Sequence, residues 1–496
     1  AYIYDYGTLR NCVIRNNGSE TMSSSTTIYG GGVNVNGGTL ENCKVYGNIL
    51  RNDKSSYIYG AGVYMSDGRI VDCEIYGNEN YSSYSSYSQG GGLYINKGSN
   101  DKESVVKNTY VHDNSSRGNG GGMYVSGYNS NKRVNIINCR IENNISQSDG
   151  GGLYLGYYVN VVGCNIANNT SSSNGGGVYA PSPYNNIINC NIVNNLSTST
   201  STSNYGGLYI TGSDSNVTNS IVWGNKRGDD SVSNCSVGSN VVVSYSAVQG
   251  GYAGTGNISL SASNTGDGLH PKFTNPTTGA GKEYSGGDWT IQEGSAVINK
   301  GKTEGLSVTL PEKDLAGNTR IQNGKIDIGA YETSFNSAFE IVPSANNIIY
   351  VTTTGAGLKN GSSWENATPY LNIALSETST MATKPMVWVA AGTYKGDGIS
   401  TNAFTMTEGV NVYGGFAGTE TSLEQRDAAT NVTILDGQGT QRVLYQDKDY
   451  TETTSVVWDG FTIQNGGGIL NGRGAYIKAY ATLRNCIITK NGCDTL

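Results

Sequence analysis

A Gly-rich tripeptide followed by aliphatic–Tyr–aliphatic returns along the first half of the chain at a nearly fixed step, and this restricts the fold more than any other feature. It reads Gly60-Ala61-Gly62-Val63-Tyr64-Met65, Gly90-Gly91-Gly92-Leu93-Tyr94-Ile95 and Gly120-Gly121-Gly122-Met123-Tyr124-Val125. It continues through Gly150 to Leu155 (with Tyr154) and Gly175 to Ala180 (with Tyr179), and ends degenerate at Gly206-Gly207-Leu208-Tyr209-Ile210. The steps are 30, 30, 30 and 25 residues, then about 30. Between the copies lies Asn-Cys-x-Ile-x-x-Asn, seen at Asn11-Cys12, Asn42-Cys43, Asn138-Cys139, Asn189-Cys190 and Asn485-Cys486. Its variants carry Asp72-Cys73, Gly163-Cys164, Asn108-Thr109 and Asn219-Ser220.

Each period therefore holds two or three short strands and Gly/Asn/Ser turns, and no 3.6-residue apolar spacing is found before about residue 370. Such a period is one rung of a solenoid whose strands stack about 4.8 Å apart. The fold class is all-β: a right-handed parallel β-helix in tandem modules. Side chains alternate faces along a strand. The aliphatics around each Tyr thus point inward, and Tyr64, Tyr94, Tyr124, Tyr154, Tyr179 and Tyr209 form an outward column. Cys43 shares parity with Val45, and Cys139 with Ile141, so the cysteines also line the interior.

Composition agrees. Charged residues make up 14% of the 496, against roughly 25% in ordinary domains. Apolar residues make up 36%, too few for a thick globular core. A net charge of −7 without a basic cluster argues against nucleic acid as a partner. No apolar run approaches the ~18 residues of a membrane span. The chain starts at Ala1 inside a rung, with no signal peptide, which predicts a processed piece or an excerpt of something longer.

Of nine cysteines, seven occupy one rung position. Stacked in register about 4.8 Å apart with parallel Cβ vectors, they fit a disulfide poorly. A reduced, buried ladder of small apolar filler is the expectation. No Cys-x-x-Cys pair exists, so no zinc site is expected, nor any other metal or cofactor. Cys235 and Cys493 lie off the ladder.

The rung pattern resembles the β-helix regions of bacterial pectate-lyase-like (pectin-lyase-like) proteins. Gly294-Ser295-Ala296-Val297-Ile298-Asn299-Lys300-Gly301, Asp314-Leu315-Ala316-Gly317-Asn318-Thr319-Arg320 and Ile326-Asp327-Ile328-Gly329-Ala330-Tyr331-Glu332 resemble the choice-of-anchor Q domain. That resemblance implies a segment that closes β-helices in secreted Bacteroidetes proteins. Ile349-Tyr350-Val351, Asn360 to Trp364, Val387 to Tyr394 and Val412 to Gly418 are similar to the opening of such a protein. The expected organisation is β-helix rungs at 1–248, a closing segment at 249–335 and a linker at 336–347. An opening cap at 348–436 and the first rungs of the next β-helix at 437–496 follow. Ala475 to Gly492 also repeats Ala1 to Gly18 at an offset of 474, with 12 of 18 positions identical. The chain thus reads as one period of a tandem array. Bare rung edges invite pairing, so copies of itself or adjacent modules, head-to-tail, are the expected partners. The coil after 496 should resemble that near Gly30, laid on the Gly466-Gly467-Gly468-Ile469 coil.

Polysaccharide lyases and hydrolases share the fold and converge carboxylates, calcium or a Lys/Arg base on an outer face. The outward positions here are Lys44, Glu74, Tyr110, Arg140, Asn165 and Asn191, then Tyr46, Tyr76, His112 and Glu142, a mixture that assigns no catalytic residue. Gly228-Asp229-Asp230-Ser231 lacks the companion motifs of polygalacturonases, and Arg227-Gly228-Asp229 spells an integrin-type tripeptide. The outward Tyr column is the candidate surface: its rings either stack on one another or offer a platform to glycans. The function expected is a structural or adhesive module of a large extracellular, cell-surface filament. The alternative is a carbohydrate-binding or polysaccharide-degrading protein.

Overall fold

The structure is a computed structural model. It describes residues 1–22, 27–52, 57–83, 88–264, 269–322, 324–334, 341–379, 381–396, 401–468 and 471–492, and side chains at 19–22 are also outside the description. Ile469 and Cys493 therefore lie outside the described residues, as do 336–340 of the expected linker. The chain divides into two compact units, Ala1–Gly250 with Gly254–Phe335, and Gly251–Ala253 with Asn336–Leu496.

The first unit is a right-handed parallel β-helix. A full coil, such as the one opening at Gly120, contains Met123–Ser126, Val134–Ile137, Arg140–Glu142 and Ile145–Ser146. Each pairs in parallel with its counterpart one coil on. A coil thus holds four short strands, more than the two or three expected, because the two-residue strand at Ile145–Ser146 is too short to show any alternation. Stacking builds parallel sheets of 16, 10 and 8 strands.

The corners explain the sequence motif. Asn11, Asn42, Asp72, Asn108, Asn138, Asn189 and Asn219, each just before the ladder position, all have φ between 49° and 56°. This left-handed region is open to Asn, Asp and Gly at little cost. The Gly triplet divides its work. Gly120 turns the chain at φ 70°. At Gly121 and Gly122 a Cβ would lie 2.5 and 2.6 Å from the carbonyl oxygens of Gly151 and Gly152, so glycine there lets the coils approach closely, while Ala61 takes the middle position in an earlier coil.

Inside, Leu93, Met123 and Leu153 stack in register, as do Ile95, Val125 and Leu155, all fully buried. Beside them runs a polar ladder. Asn17, Asn48, Asn78, Asn114, Asn144, Asn169, Asn195 and Asn225 each donate a side-chain N–H to the Oδ1 of the next Asn, the last to Asn234, over 2.8–3.1 Å. The final Asn of the Asn-Cys motif is therefore a structural core residue.

The cysteines point inward as expected, and the described ones are free thiols. Cys43, Cys73, Cys139, Cys164 and Cys190 are buried, while Cys12 and Cys486, in end coils, are partly open. They are more than apolar filler. The N–H of Cys139 donates to Cys164 Sγ at 3.4 Å, and Thr109, Ser220 and Ser246 fill the same role with hydroxyls. Cys235 stands in the aliphatic column beside Leu208.

The second unit is also a parallel coil. Ile348–Val351, Met386–Ala390, Val412–Phe416, Val456–Asp459 and Ala481–Arg484 form one sheet. Gly392–Lys395, Thr433–Asp436, Phe461–Gln464 and Ile487–Thr489 form another. The helix Leu371–Thr378 buries Leu371, Ala374, Leu375 and Thr378. Leu371 and Leu375 join a core containing Trp458, Phe404 and Phe461. No helix among the described residues is long and apolar enough to cross a membrane.

Candidate functional site

Strand register lines up Tyr64, Tyr94, Tyr124, Tyr154, Tyr179 and Tyr209, one per coil. Ring centroids follow one another at 5.7, 5.0, 4.5, 5.4 and 5.1 Å, the rings stacked near parallel except for the tilted Tyr154–Tyr179 pair. The rings thus spend their faces largely on each other. A second row covers one end: Tyr59 stacks on Tyr94 at 4.3 Å and Tyr29 meets Tyr64 edge-on at 4.8 Å. Tyr94 keeps only 7% exposure. Burial raises the phenols of Tyr64, Tyr94, Tyr124 and Tyr154, and pushes Tyr59 and Tyr179 up to about 12.

The second outer face carries the two mixed columns in the expected register. Tyr46, Tyr76 and His112 stack at 4.7 and 4.9 Å, and Tyr110 lies 3.9 Å from the His112 ring. Lys44 Nζ contacts Glu74 Oε2 at 2.7 Å, and this partner draws the Glu74 carboxyl below its ordinary range. His112 places Nε2 3.4 Å from Glu74 and Nδ1 2.7 Å from Asp113. Arg140 donates twice to Glu142, at 3.0 and 2.8 Å. Tyr110 Oη and Asn165 Nδ2 donate to the same carboxylate at 3.1 and 2.9 Å. Both Lys44 and Arg140 are therefore held by carboxylates. No group of three or more His, Cys, Asp or Glu side chains able to hold a metal occurs among the described residues.

The far half of this face is covered. Asn191 Oδ1 accepts from Ala330 N at 3.1 Å, and Asn138, Asn189 and Asn219 donate to the carbonyls of Lys313, Asp327 and Lys302 at 2.8–3.0 Å. The corner asparagines thus anchor segment 269–334 on the coils. Asn165 and Asn191 are outward yet fully or almost fully buried. Within that segment Arg320, 1% exposed, donates to Glu332 Oε1 at 3.1 Å and to the Ala330 carbonyl at 3.1 Å.

The tripeptide Arg227-Gly228-Asp229 is folded on itself. Arg227 Nη2 donates to Asp229 Oδ2 at 3.2 Å and to Ser231 Oγ at 2.7 Å. One feature escaped the sequence reading: an open cleft of about 610 Å³ among the loops of the 16-stranded sheet, lined by Tyr128, Tyr157, Tyr158 and Tyr184. Its only signal in the sequence is the 25-residue step after Gly150.

No protein-family model and no curated protein matches the chain. Among solved structures it is similar to a mutant of the PL6 family alginate lyase AlyGC, at 10% identity, covering 100% of this chain and 75% of that one, with a TM-score of 0.18. A likeness at this level says nothing about activity.

Proposed function

We propose that the chain is a structural and adhesive module of a large repetitive extracellular protein, a cell-surface fibre in which modules stack coil on coil. The observation that carries this reading is the equivalence of two coils 474 residues apart. Tyr2–Tyr4, Thr8–Arg10 and Val13–Arg15 match Ala475–Tyr476, Ala481–Arg484 and Ile487–Thr489. Asn11 and Asn485 turn the same corner at φ 56° and 52°. The first coil pairs its strands with Val33–Glu41 and Lys44–Tyr46. Ala475 to Gly492 carries the same pairing edge, with Ile488 in the inward position that Ile14 holds in the first coil. A coil edge of this kind is a template for another coil. The closing role of segment 249–335 and the opening role of 348–436 belong to this proposal.

Sedimentation of the full chain over a wide concentration range, with electron microscopy of the product, tests it. End-to-end rods that lengthen with concentration are expected, and Ile488→Lys should abolish them by placing a charge on the inward side of the edge. A chain that stays monomeric at every concentration sinks the filament reading.

A polysaccharide-acting protein is the second reading, favoured by the grouping of His112, Tyr110, Lys44 and Arg140 on one face. The carboxylates holding Lys44 and Arg140 weigh against either acting as a free base. No turnover of pectin-type or glycosaminoglycan substrates is expected. Turnover lost in His112→Ala would establish the second reading instead.

A further inference from the structure

The cleft among the sheet loops owes its shape to unequal coil lengths. Residues 97–103 and 127–133, seven each, join the two strands of the 16-stranded sheet in the coils at Gly90 and Gly120. In the next coils the joints shrink to 156–158 and 181–185, three and five residues. The long loops make a wall and the short ones a floor.

Tyrosines furnish both. Tyr128 on the wall is 54% exposed, and Tyr157 and Tyr184 on the floor are 50% and 36% exposed. Tyr158 stacks on Tyr184 at 4.7 Å, and the Arg133 guanidinium lies over the Tyr158 ring at 5.5 Å while donating to the Tyr184 carbonyl at 2.6 Å. Tyr158 and Tyr184 sit at φ 56° and 67°, where the next coil has Asp214 at φ 54°. A bulky ring in this region is disfavoured, and such strain collects at ligand sites. Here two successive coils carry it side by side.

Lys97 is the one charged residue on the lining, and its ammonium is consumed by Asp67 and by Asn100, whose Oδ1 and carbonyl each accept at 3.1 Å. Bordering the lining, Arg133 is engaged by the Tyr158 ring and the Tyr184 carbonyl, and Lys132 by Asp101 and the Ser99 carbonyl. The surface left is aromatic, with phenol groups and the amide and hydroxyl of Asn96 and Ser99. This is a surface for a ligand with apolar faces, a rim of hydroxyls and no charge. The volume lies within the ~300–1,000 Å³ of ligand sites.

We propose that this cleft binds a short stretch of uncharged polysaccharide, its sugar rings lying on Tyr128 and Tyr157. The inference supplies a ligand for the adhesive part of the reading above, and a dilute monomer suffices to test it, so it stands or falls apart from coil stacking. Calorimetric titration of the intact chain with cellohexaose, xylohexaose, mannohexaose and chitohexaose should find saturable binding of at least one. Tyr128→Ala and Tyr157→Ala should each weaken it at least tenfold, whereas Tyr157→Phe, which keeps the ring, and the remote Tyr6→Ala should not. Both alanine sites are half-exposed, and unchanged circular dichroism melts would verify their folds. No binding of any of the four sugars, or alanine variants that bind like the parent, overturns the proposal.

Discussion

Asn144 shows how much a single ladder residue carries. Its Oδ1 accepts from both the backbone and side-chain nitrogens of Asn114 at 3.0 Å, and its Nδ2 serves Val111 O, Glu142 O and Asn169 Oδ1 at 2.9–3.0 Å. All of this is shielded from water. Asn144→Ala leaves buried donors and acceptors unpaired, at a cost of about 2–4 kcal/mol. A lowered urea midpoint at unchanged slope is the expected outcome. The thiols give a second prediction at this scale. Burial pushes Cys73 up to about 12 and raises Cys43, Cys164 and Cys190, so the reactive thiolate is scarce at neutral pH. Thiol titration of the native protein should label Cys12 and Cys486 first, and the five buried cysteines only after denaturation. Rapid labelling of Cys164 without denaturant would contradict the packing described.

At the scale of elements, segment 269–334 depends on one buried cation. Arg320 faces Glu332 directly and also lies near Asp327, whose Oδ1 accepts from Asn299 N at 2.7 Å. Burial raises Asp327 to about 6 and Glu332 to about 9, the latter also through repulsion from Asp327. Because these folded values exceed the unfolded ones, retained protons stabilise the fold fully only below the unfolded carboxyl range. That contribution fades as pH rises through about 6 and then about 9. Hydrogen exchange, corrected for intrinsic rates, should therefore show this segment opening more readily at pH ~9 than at pH ~6. Arg320→Leu removes the donor to Glu332 Oε1 and the Ala330 carbonyl and should cost about 3–5 kcal/mol, steepening the same dependence. Little of this was legible beforehand, because nothing local in Asn138, Asn189 or Asn219 says which distant carbonyl their amides will meet. The coils were legible for the opposite reason. Glycine triplets, left-handed Asn corners and inward aliphatics repeat in every period, so register followed from spacing alone. The tyrosines of the cleft sit in loops of unequal length, where no periodicity reports position.

For the whole molecule, a solenoid has no single core: each coil gains stability from the coil on either side. Central coils such as the one opening at Gly120 have two neighbours, and Val125, Ile136 and Ile141 are wholly buried. The first coil pairs on one side, so its inward Leu9 and Ile14 are only half-buried, and in the second unit the inward Ile488 stands 54% exposed. Removing a central aliphatic, as in Ile141→Ala, should cost about 2–5 kcal/mol. Ile14→Ala should cost much less, since Ile14 occupies the same column with water on one side. The same asymmetry should appear as a gradient of amide protection. In dilute protein, exchange should be fastest at Thr8–Arg10 and Ala481–Arg484 and slowest at Val134–Ile137 and Val159–Val162. Under conditions where rods form, both end coils should gain protection while the central coils stay as they were, because only the ends acquire a neighbour. Rods that left the end coils as exchangeable as in the monomer would mean lateral association, and the coil-on-coil fibre would have to be abandoned.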